Sequence, residues 1–382
     1  MKKKLLPALI VTGLIILVVI IMGITALINK YTPTKKTEDL KEYFNISSDD
    51  EAALIVDNEL SDYKAKIIDK KIYVDYKFVH DSLNSRFYWD ANENVLLYTT
   101  ASDIISAAAD SNSYSVTKQT NDFGYPIVKA TSDSALIALD YVKQYSNITF
   151  KSYDDPARIV ITSKWDEIDS ATVSKSTQVR VKGGIKSPIL KEVKKDDKLT
   201  ILDSGDKWDK IATEDGVIGY IKGKALSESK KTKLTNPDYE EETFTHIKKD
   251  KDICLAWNQV TSQSANSKVP QVISSTKGIN VMSPTWFYLN DNNGNLADIA
   301  SKDYVSYCHS QGIEVWGLFS NFENTDVDAA YVLTHTSTRT TLINQIMSAA
   351  FNYELDGVNI DFENITEACL LYTSPSPRDL ST

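Results

Sequence analysis

The string Asp356-Gly-Val-Asn-Ile-Asp-Phe-Glu363 decides the fold that this sequence predicts. Its polar residues Asn359, Asp361 and Glu363 recur at every second position, which is the period of a β-strand and places them on one face. The residues that alternate with them are large and apolar, and we expect outer helices to cover them: Val358, Ile360 and Phe362. A solvated edge strand could also carry such acids, but the apolar alternates favour a strand with a polar inner face, which is costly unless it is functional or fully hydrogen-bonded.

Three more apolar runs precede this strand and alternate with helical stretches. They are Ile253–Trp257, Ile279–Phe287 and Ile313–Phe319. Ser301 can cap a helix that ends at Gly312, with three apolar residues on one face: Tyr304, Val305 and Cys308. A longer helix begins near Ser337 and carries one apolar stripe: Leu342, Ile343, Ile346, Met347, Ala350 and Phe351. This rhythm predicts a parallel sheet, open or closed as a barrel, with Glu363 at the carboxyl end of its fourth strand, where barrel active sites lie.

The string from Asp356 to Glu363 closely resembles the D-G-x-D-x-D-x-E signature of family 18 glycoside hydrolases. The run Ser283–Phe287 also looks like the second strand of the spore-cortex and peptidoglycan branch of that family. The resemblance covers Lys251–Thr366 and implies that residues 251–367 form the first half of an α/β (TIM) barrel. Asn359 departs from the signature, because chitinases usually have Asp there, which makes crystalline chitin a less favoured substrate.

The resemblance implies a role for each residue of the motif. Glu363 would be the general acid, and the like charge of Asp361 would raise its pKa toward the working pH. Asp361 would orient the acetamido group of an N-acetylglucosamine unit, whose oxygen attacks the anomeric carbon in substrate-assisted hydrolysis with retention. Asn359 would hydrogen-bond Asp361, and Asp356 would support the start of the strand. Three tryptophans are candidates to stack on sugar rings, although burial in the barrel core explains each of them equally well: Trp257, Trp286 and Trp316.

Residues 172–227 consist of short alternating runs split by turn signals, which predicts a small β-barrel. The runs are Val179–Val181, Leu199–Leu202, Trp208–Ile211 and Ile218–Ile221. Residues 179–226 are similar to bacterial SH3 domains along their whole length. That resemblance implies peptidoglycan binding, and a barrel that only spaces the enzyme from the membrane is equally compatible.

Residues 51–165 contain a weak internal repeat in which strand, short helix, strand and strand occur twice. The first copy comprises Tyr73–Val79, Phe87–Trp89 and Val95–Tyr98, and the second Ile137–Val142, Ile148–Phe150 and Arg158–Ile161. The pattern resembles a small repeated α+β module found beside bacterial cell-wall enzymes and named after the N-terminal domain of copper amine oxidases. It implies no copper chemistry, and a spacer role is favoured.

The N-terminus predicts a single-pass cell-membrane protein with its C-terminal domains outside the cell. Lys2–Lys4 precede an apolar run, Leu5–Ile28, that is long enough to span a bilayer core of about 30 Å. The positive flank favours a cytoplasmic start, so residues 1–30 are predicted to be an anchor. A cleaved signal peptide remains the alternative. Residues 31–50 and 228–250 are polar and charged, and are predicted to be linkers, the first with one short helical piece.

Composition excludes several classes of function. The net charge is −10 and no basic block stands outside the first residues, which argues against nucleic acid as a partner. The four histidines are far apart and lack metal-ligand spacing, so neither a metal nor another cofactor is predicted. Three cysteines are too few for a disulfide scaffold, and Cys254 and Cys308 are predicted to be small buried core residues.

The last residues, 368–382, do not continue the barrel. Ser374-Pro-Ser-Pro377 cannot extend a helix, and the string around it resembles the translation of a sequencing adapter. We therefore expect a half barrel without its later strands, and no hydrolase activity from the chain as it stands. The leading hypothesis for the whole protein is a hydrolase of peptidoglycan or of a chitin-like N-acetylglucosamine polymer. The alternative is a non-catalytic wall-binding or scaffolding protein, which would have no chemical need for both Asp361 and Glu363.

Overall fold

The chain divides into two compact units, each built from two separate stretches of sequence. One unit comprises residues 1–87 and 126–241, and the other residues 88–125 and 242–382. The computed structural model describes residues 2–245 and 248–365, with side chains from residue 10 onward. The predicted adapter-derived tail, 368–382, lies outside the described residues. The fold is a set of sheets with mixed α and β content and an apolar N-terminal helix.

Helix α1 (Lys2–Tyr31) opens the chain. Its stretch Ile10–Tyr31, 22 residues, is long and apolar enough to cross a membrane, and a signal sequence would meet the same criterion. The helix therefore agrees with the predicted apolar segment without distinguishing an anchor from a signal.

The stretch after α1 is packed rather than extended as a free spacer. Its predicted short helix is present as α2 (Leu40–Tyr43), capped by Asp39. The backbone N–H of Glu38 donates to the carbonyl of Ile189 at 2.8 Å, and Phe44 is only 1% exposed. Residues 31–50 thus differ from the expected linker, because Phe44 joins a hydrophobic cluster and Leu40, Tyr43 and Ile46 pack against it.

Residues 51–162 form twelve strands and two short helices. In chain order the strands are β1 (Glu51–Val56), β2 (Glu59–Ile68), β3 (Lys71–Asp75), β4 (Phe87–Asp90), β5 (Val95–Thr99), β6 (Ile104–Ala108), β7 (Ser113–Val116), β8 (Gln119–Asp122), β9 (Val128–Ala130), β10 (Ala135–Ala138), β11 (Thr149–Tyr153) and β12 (Arg158–Thr162). The helices are α3 (Tyr76–Phe78), which continues into a π-helical turn at Val79–Leu83, and α4 (Leu139–Tyr145). Seven strands form one sheet in the order β11-β12-β1-β2-β3-β10-β9, and β4 to β8 form a second sheet in sequence order.

The elements of residues 71–162 occur in the order that the predicted repeat requires. β3, α3, β4 and β5 give strand, short helix, strand and strand, and β10, α4, β11 and β12 give the same series. The two copies pair differently, however. The last strand of the second copy joins β1 in parallel, whereas β5 pairs with β6 in the five-stranded sheet. Local sequence therefore set the elements, and contacts distant in sequence set their partners.

A second seven-stranded sheet contains residues 172–227, the segment whose sequence predicts a small barrel. Its strands are β13 (Glu167–Thr172), β14 (Thr177–Arg180), β15 (Ile189–Val193), β16 (Lys198–Asp203), β17 (Trp208–Thr213), β18 (Ile218–Lys222) and β19 (Lys230–Lys233), in the order β15-β14-β18-β17-β16-β13-β19. All four predicted runs lie in or overlap these strands. β19 falls in the expected linker 228–250 and pairs with β13. The sequence did not predict this strand, because it consists of Lys and Thr and lacks the apolar residues of a buried strand.

The two modules predicted before and after residue 166 share one hydrophobic cluster. Phe44, Ala53 and Ile55 pack with residues of the sheet formed by β13 to β19, such as Val179 and Ile211. The guanidinium of Arg158, which is buried, also pairs with the carboxylate of Asp215 at 2.5 Å. The expected boundaries 51–165 and 172–227 thus enclose segments that contribute to a common core.

The described part of 251–365 contains the predicted parallel sheet. Its strands are β20 (Leu255–Asn258), β21 (Val281–Leu289), β22 (Leu296–Asp298), β23 (Glu314–Ser320) and β24 (Gly357–Asp361), and its helices are α5 (Val269–Ser274), α6 (Lys302–Ser310), α7 (Ala329–Thr334) and α8 (Thr336–Tyr353). The order is β20-β21-β23-β24, each pair parallel, with β22 antiparallel on β21. The four predicted strands and their parallel pairing are confirmed.

Helix α6 matches its prediction and α8 matches in part. Ser301 caps α6, whose buried residues are the predicted Tyr304, Val305 and Cys308. On α8, Leu342 is buried, but three members of the predicted apolar stripe are exposed: Ile343, Met347 and Phe351. The helix packs through a narrower face than the stripe predicted, because helical periodicity shows which residues align and not how far a neighbour covers them.

The start of α8 is capped from a distant part of the chain. The carboxylate of Asp90, on β4, accepts from the Thr336 backbone N–H at 2.7 Å, and Glu93 accepts from the Ser337 N–H at 2.9 Å. Both acids meet the positive end of the helix dipole, where negative charge is stabilising. Residues 88–125 and the parallel sheet therefore belong to one packed unit.

The two described cysteines lie in different environments. Cys308 is fully buried, as predicted, whereas Cys254 is exposed and corrects that expectation. Cys254 directly precedes β20, and its carbonyl accepts from the backbone N–H groups of Asn280 and Val281. Burial, and secondarily the charge of Asp356, raise the pKa of the Cys308 thiol to about 12.

Candidate active site

The predicted polar row lies at and beyond the end of β24. Strand pairing places Asn359 beside Leu318 and Asp361 beside Ser320, so both polar residues face the same side of the sheet as those two. Glu363 follows two residues after the last strand residue and is exposed. The geometry brings an amide and two acids to the carboxyl end of one parallel strand.

The opposite side of β24 differs from the prediction. Val358 and Ile360 are 36% and 52% exposed, although outer helices were expected to cover them. Among the described residues β24 pairs with β23 alone, so it is an edge strand of this sheet. Period-two alternation identified the two faces correctly, but it carries no information about what lies against each face.

Asn359 is held by a residue that sequence reasoning did not identify. Its Nδ2 donates to the hydroxyl of Ser283 at 3.0 Å, whereas the prediction assigned it to Asp361. Side chains two positions apart on a strand start about 6.6 Å from each other, which leaves Asn359 free to reach across the sheet instead. Ser283 is fully buried on β21, and only its inner-face position, one strand beyond β23, could have signalled this contact.

Asp361 stands beside a buried hydroxyl. Ser320 is fully buried, and its Oγ donates to the carbonyl of Phe287 and to the carboxylate of Glu323. Within residues 10–245 and 248–365, the Asp361 carboxylate makes no hydrogen bond to another side chain or to the backbone. It is therefore available to a ligand that can donate a hydrogen bond.

The backbone of Glu363 is held from both sides by one side chain. Its N–H donates to Oδ1 of Asn321 at 2.8 Å, and Nδ2 of Asn321 donates to its carbonyl at 2.9 Å. Asn321 directly follows β23, and this position is the only feature of the sequence that could have indicated the contact. Glu363 itself is exposed.

Asp356 lies at the other end of the strand. Its Oδ2 is 2.8 Å from Nε2 of His309 on α6 and accepts from the Val315 N–H, also at 2.8 Å. These contacts fasten the start of β24 to β23 and to the end of α6. Asp356 therefore supports the strand from its amino end, away from Glu363.

Trp286 occupies the helix-covered face of the sheet. It is 0% exposed, its Nε1 donates to Oδ1 of Asn266 at 2.8 Å, and its ring packs edge-on against Tyr304 at 4.9 Å. A ring enclosed in this way has no free surface for a sugar. The structure thus places Trp286 in the core, contrary to its predicted stacking role, because it lies on the face opposite Asn359.

The other two tryptophans lie on the polar side. Pairing aligns Trp257 with Ser283, and its side chain is 71% exposed. Trp316 is partly exposed and covers Gly357, where a Cβ would come within 2.7 Å of the indole ring. Only glycine fits beneath that ring. Trp257 and Trp316 are the predicted tryptophans that retain ring surface near Asn359 and Asp361.

Among the described residues, no group of three or more His, Cys, Asp or Glu side chains is arranged to hold a metal ion. The site itself presents carboxylates, amides and hydroxyls, with aromatic surfaces beside them.

No protein-family model and no curated protein matches this chain. Solved structures are similar over part of it. A chitinase from Chromobacterium violaceum matches with 17% identity over 29% of this chain and 35% of that chain, at a TM-score of 0.24. The spore cortex-lytic enzyme SleL of Bacillus cereus matches with 16% identity over 35% of this chain and 33% of that chain, at a TM-score of 0.26.

A further match is NlpC1 from Trichomonas vaginalis, with 15% identity over 37% of this chain and 44% of that chain, at a TM-score of 0.15. The chain spans about a third of the length of the chitinase and of SleL. Chitinases and a cortex-lytic enzyme are thus among its structural neighbours.

Proposed function

We propose that this protein is a cell-surface glycoside hydrolase that cleaves glycans containing N-acetylglucosamine. The observation that carries the proposal is the arrangement at the end of β24, where Asp361 offers a carboxylate with no hydrogen-bond partner among the described residues and Glu363 offers an exposed one. Two acids held by backbone and strand pairing at the carboxyl end of a parallel strand suit acid catalysis on a ligand bound above the sheet.

The proposed reaction is substrate-assisted and retaining. Glu363 donates its proton to the glycosidic oxygen while the acetamido oxygen of the sugar attacks the anomeric carbon. Asp361 accepts a hydrogen bond from the acetamido N–H and so orients that group. Glu363 then accepts the proton of the incoming water, and its acid form is restored.

Asn359 has a supporting role beside Asp361 in this proposal. Its amide, held by Ser283, borders Asp361 on the same face and adds no negative charge beside it. Trp257 and Trp316 supply ring faces for neighbouring sugar units. We assign peptidoglycan or a chitin-like polymer as the substrate, with peptidoglycan favoured, since Asn359 stands where chitinases usually have Asp.

The remaining segments suit a protein that works at the cell wall. We propose that α1 anchors the chain in the cell membrane with later residues outside. Residues 172–227 would be an SH3-like barrel that binds peptidoglycan or spaces the enzyme from the membrane, residues 51–165 a repeated spacer module, and residues 251–367 part of a family 18 TIM barrel. The charge of −10 leaves no role for nucleic acid.

The decisive experiment is Glu363→Gln in the full-length gene product, assayed on a chromogenic N-acetylglucosaminide and on purified peptidoglycan. The amide keeps the size of the side chain and removes its proton, so we expect turnover to fall about 10²–10⁴-fold. Glu354→Gln is the matched control, because Glu354 is an exposed acid at the end of α8, outside the site. A Glu363→Gln enzyme as active as the control would refute the assignment.

A further inference from the structure

We infer that Asn321 is a positioning residue for Glu363, which it holds by both polar groups of the backbone. The inference rests on the proposed function, because it assigns a role relative to the general acid. Its basis is the pair of hydrogen bonds between one side-chain amide and one residue, 2.8 Å to the N–H and 2.9 Å to the carbonyl.

These two hydrogen bonds from Asn321, here called the clamp, lie where strand pairing stops. The last paired residues of β23 and β24 are Ser320 and Asp361, and Glu363 stands two positions beyond that pair. A peptide backbone in a ladder would offer one donor and one acceptor to the neighbouring strand. The Asn321 side chain offers the same two groups, so it extends the ladder by one further contact.

The chain also turns directly after this contact. Asn364 has a φ of 55°, in the left-handed region, so the backbone leaves the strand direction one residue past Glu363. Residues at a strand end with such a turn fray unless something holds them. The hydrogen bonds from Asn321 hold the Glu363 backbone at this turn.

The consequence concerns the reach of the acid. A general acid must approach the oxygen that it protonates to within about 2.6–3.2 Å. With its backbone held, the Glu363 carboxyl group moves only by rotations of its own side chain. Loss of the clamp adds movement of the backbone itself, and a misplacement of about 1 Å can cost about 10²-fold in rate.

The test uses the full-length gene product with two substitutions at one position. Asn321→Ala removes both hydrogen bonds. Asn321→Asp keeps an acceptor for the Glu363 N–H but places a negative charge against its carbonyl. Asn324→Ala is the matched control, because the Asn324 amide, in the same loop, donates to the carbonyl of Asn290 at 2.8 Å and does not touch Glu363.

We expect Asn321→Ala to lower kcat about 10- to 100-fold with little change in KM, because sugar contacts elsewhere are kept. The pH profile separates positioning from simple folding support. A like charge raises the pKa of a carboxylic acid, so Asn321→Asp should move the alkaline limb of kcat/KM to higher pH than in Asn321→Ala. The other acids at this end of β23 and β24 are Glu323 and Asp361, which are the same in both variants.

The outcomes are distinct. If Asn321→Ala matches the control in kcat while Glu363→Gln is inactive, the inference is wrong and the proposed function stands. If the Asn321 variants lose activity only in proportion to the fraction of folded protein, with the alkaline limb unmoved, the role is structural and the inference is wrong. If Glu363→Gln remains fully active, the proposed function fails regardless of Asn321.

Discussion

The two faces of the parallel sheet have the same strands and opposite chemistry. One face carries hydroxyl, amide and carboxyl groups that contact each other across strands, as Ser283 does with Asn359. The other carries large apolar side chains packed under helices, with Trp286 and Phe319 fully buried. At β24 the second face is open, since Ile360 is exposed. Alternation therefore determines which residues lie together, and neighbouring elements determine whether they are buried.

Two tryptophans show what this difference means for function. Trp257 and Trp286 lie on neighbouring parallel strands, and the resemblance made both of them candidates to stack on sugar rings. The structure leaves the ring of Trp257 exposed on the polar face and encloses that of Trp286 among α6 and its neighbours. A tryptophan near a motif is a binding candidate only if its strand register turns it toward the motif.

The largest expected difference is in thiol reactivity, between Cys308 on the helix-covered side of the sheet and the exposed Cys254. Burial raises the pKa of Cys308 to about 12, so at pH 8 its thiol stays protonated, and the thiolate that reacts is rarer than in an ordinary thiol by about a thousandfold. In the folded protein we expect maleimide to label Cys254 and to spare Cys308. Mass spectrometry of a Cys254→Ser variant, native and in denaturant, checks this. Rapid native labelling of Cys308 would show that the helix-covered side is open.

A second prediction compares the two tryptophans directly. Trp286→Ala leaves a cavity in the core and should destabilise the sheet by about 3–5 kcal/mol. Trp257→Ala removes an exposed ring and should stay within about 0.5 kcal/mol. Hydrogen exchange of peptides from β21 and β23 measures both, since faster exchange reports easier local opening. Similar exchange in the two variants would mean that the faces are equally covered.

The smallest expected effect is the coupling across the polar face. In a double-mutant cycle, Ser283→Ala and Asn359→Ala should show an interaction energy of about 0.5–1.5 kcal/mol, the net value of one partly buried hydrogen bond. The free energy of unfolding of the parallel sheet, followed by hydrogen exchange, gives the four values. Additive effects would indicate that Asn359 is held by something other than Ser283.

Much of the fold could be predicted because it follows from local periodicity. Short apolar runs between helical stretches identified the four parallel strands. The cap at Ser301, the end at Gly312 and three apolar residues on one face identified α6. The same logic found the repeated series of elements within 51–165, but not that β5 and β12 take different partners. Pairing depends on residues far away in the chain, which a local pattern does not contain.

By itself, then, the sequence determined that Asn359 and Asp361 share one face of a parallel strand and that Glu363 follows at its carboxyl end. Only the tertiary structure decided what holds them: Ser283 for the amide, and Asn321 for the backbone of the acid. It also decided that Trp286 is core and that Val358 and Ile360 are exposed. The physical reason is that alternation of side chains is a property of one strand, whereas burial and hydrogen bonding belong to pairs of groups brought together by the fold.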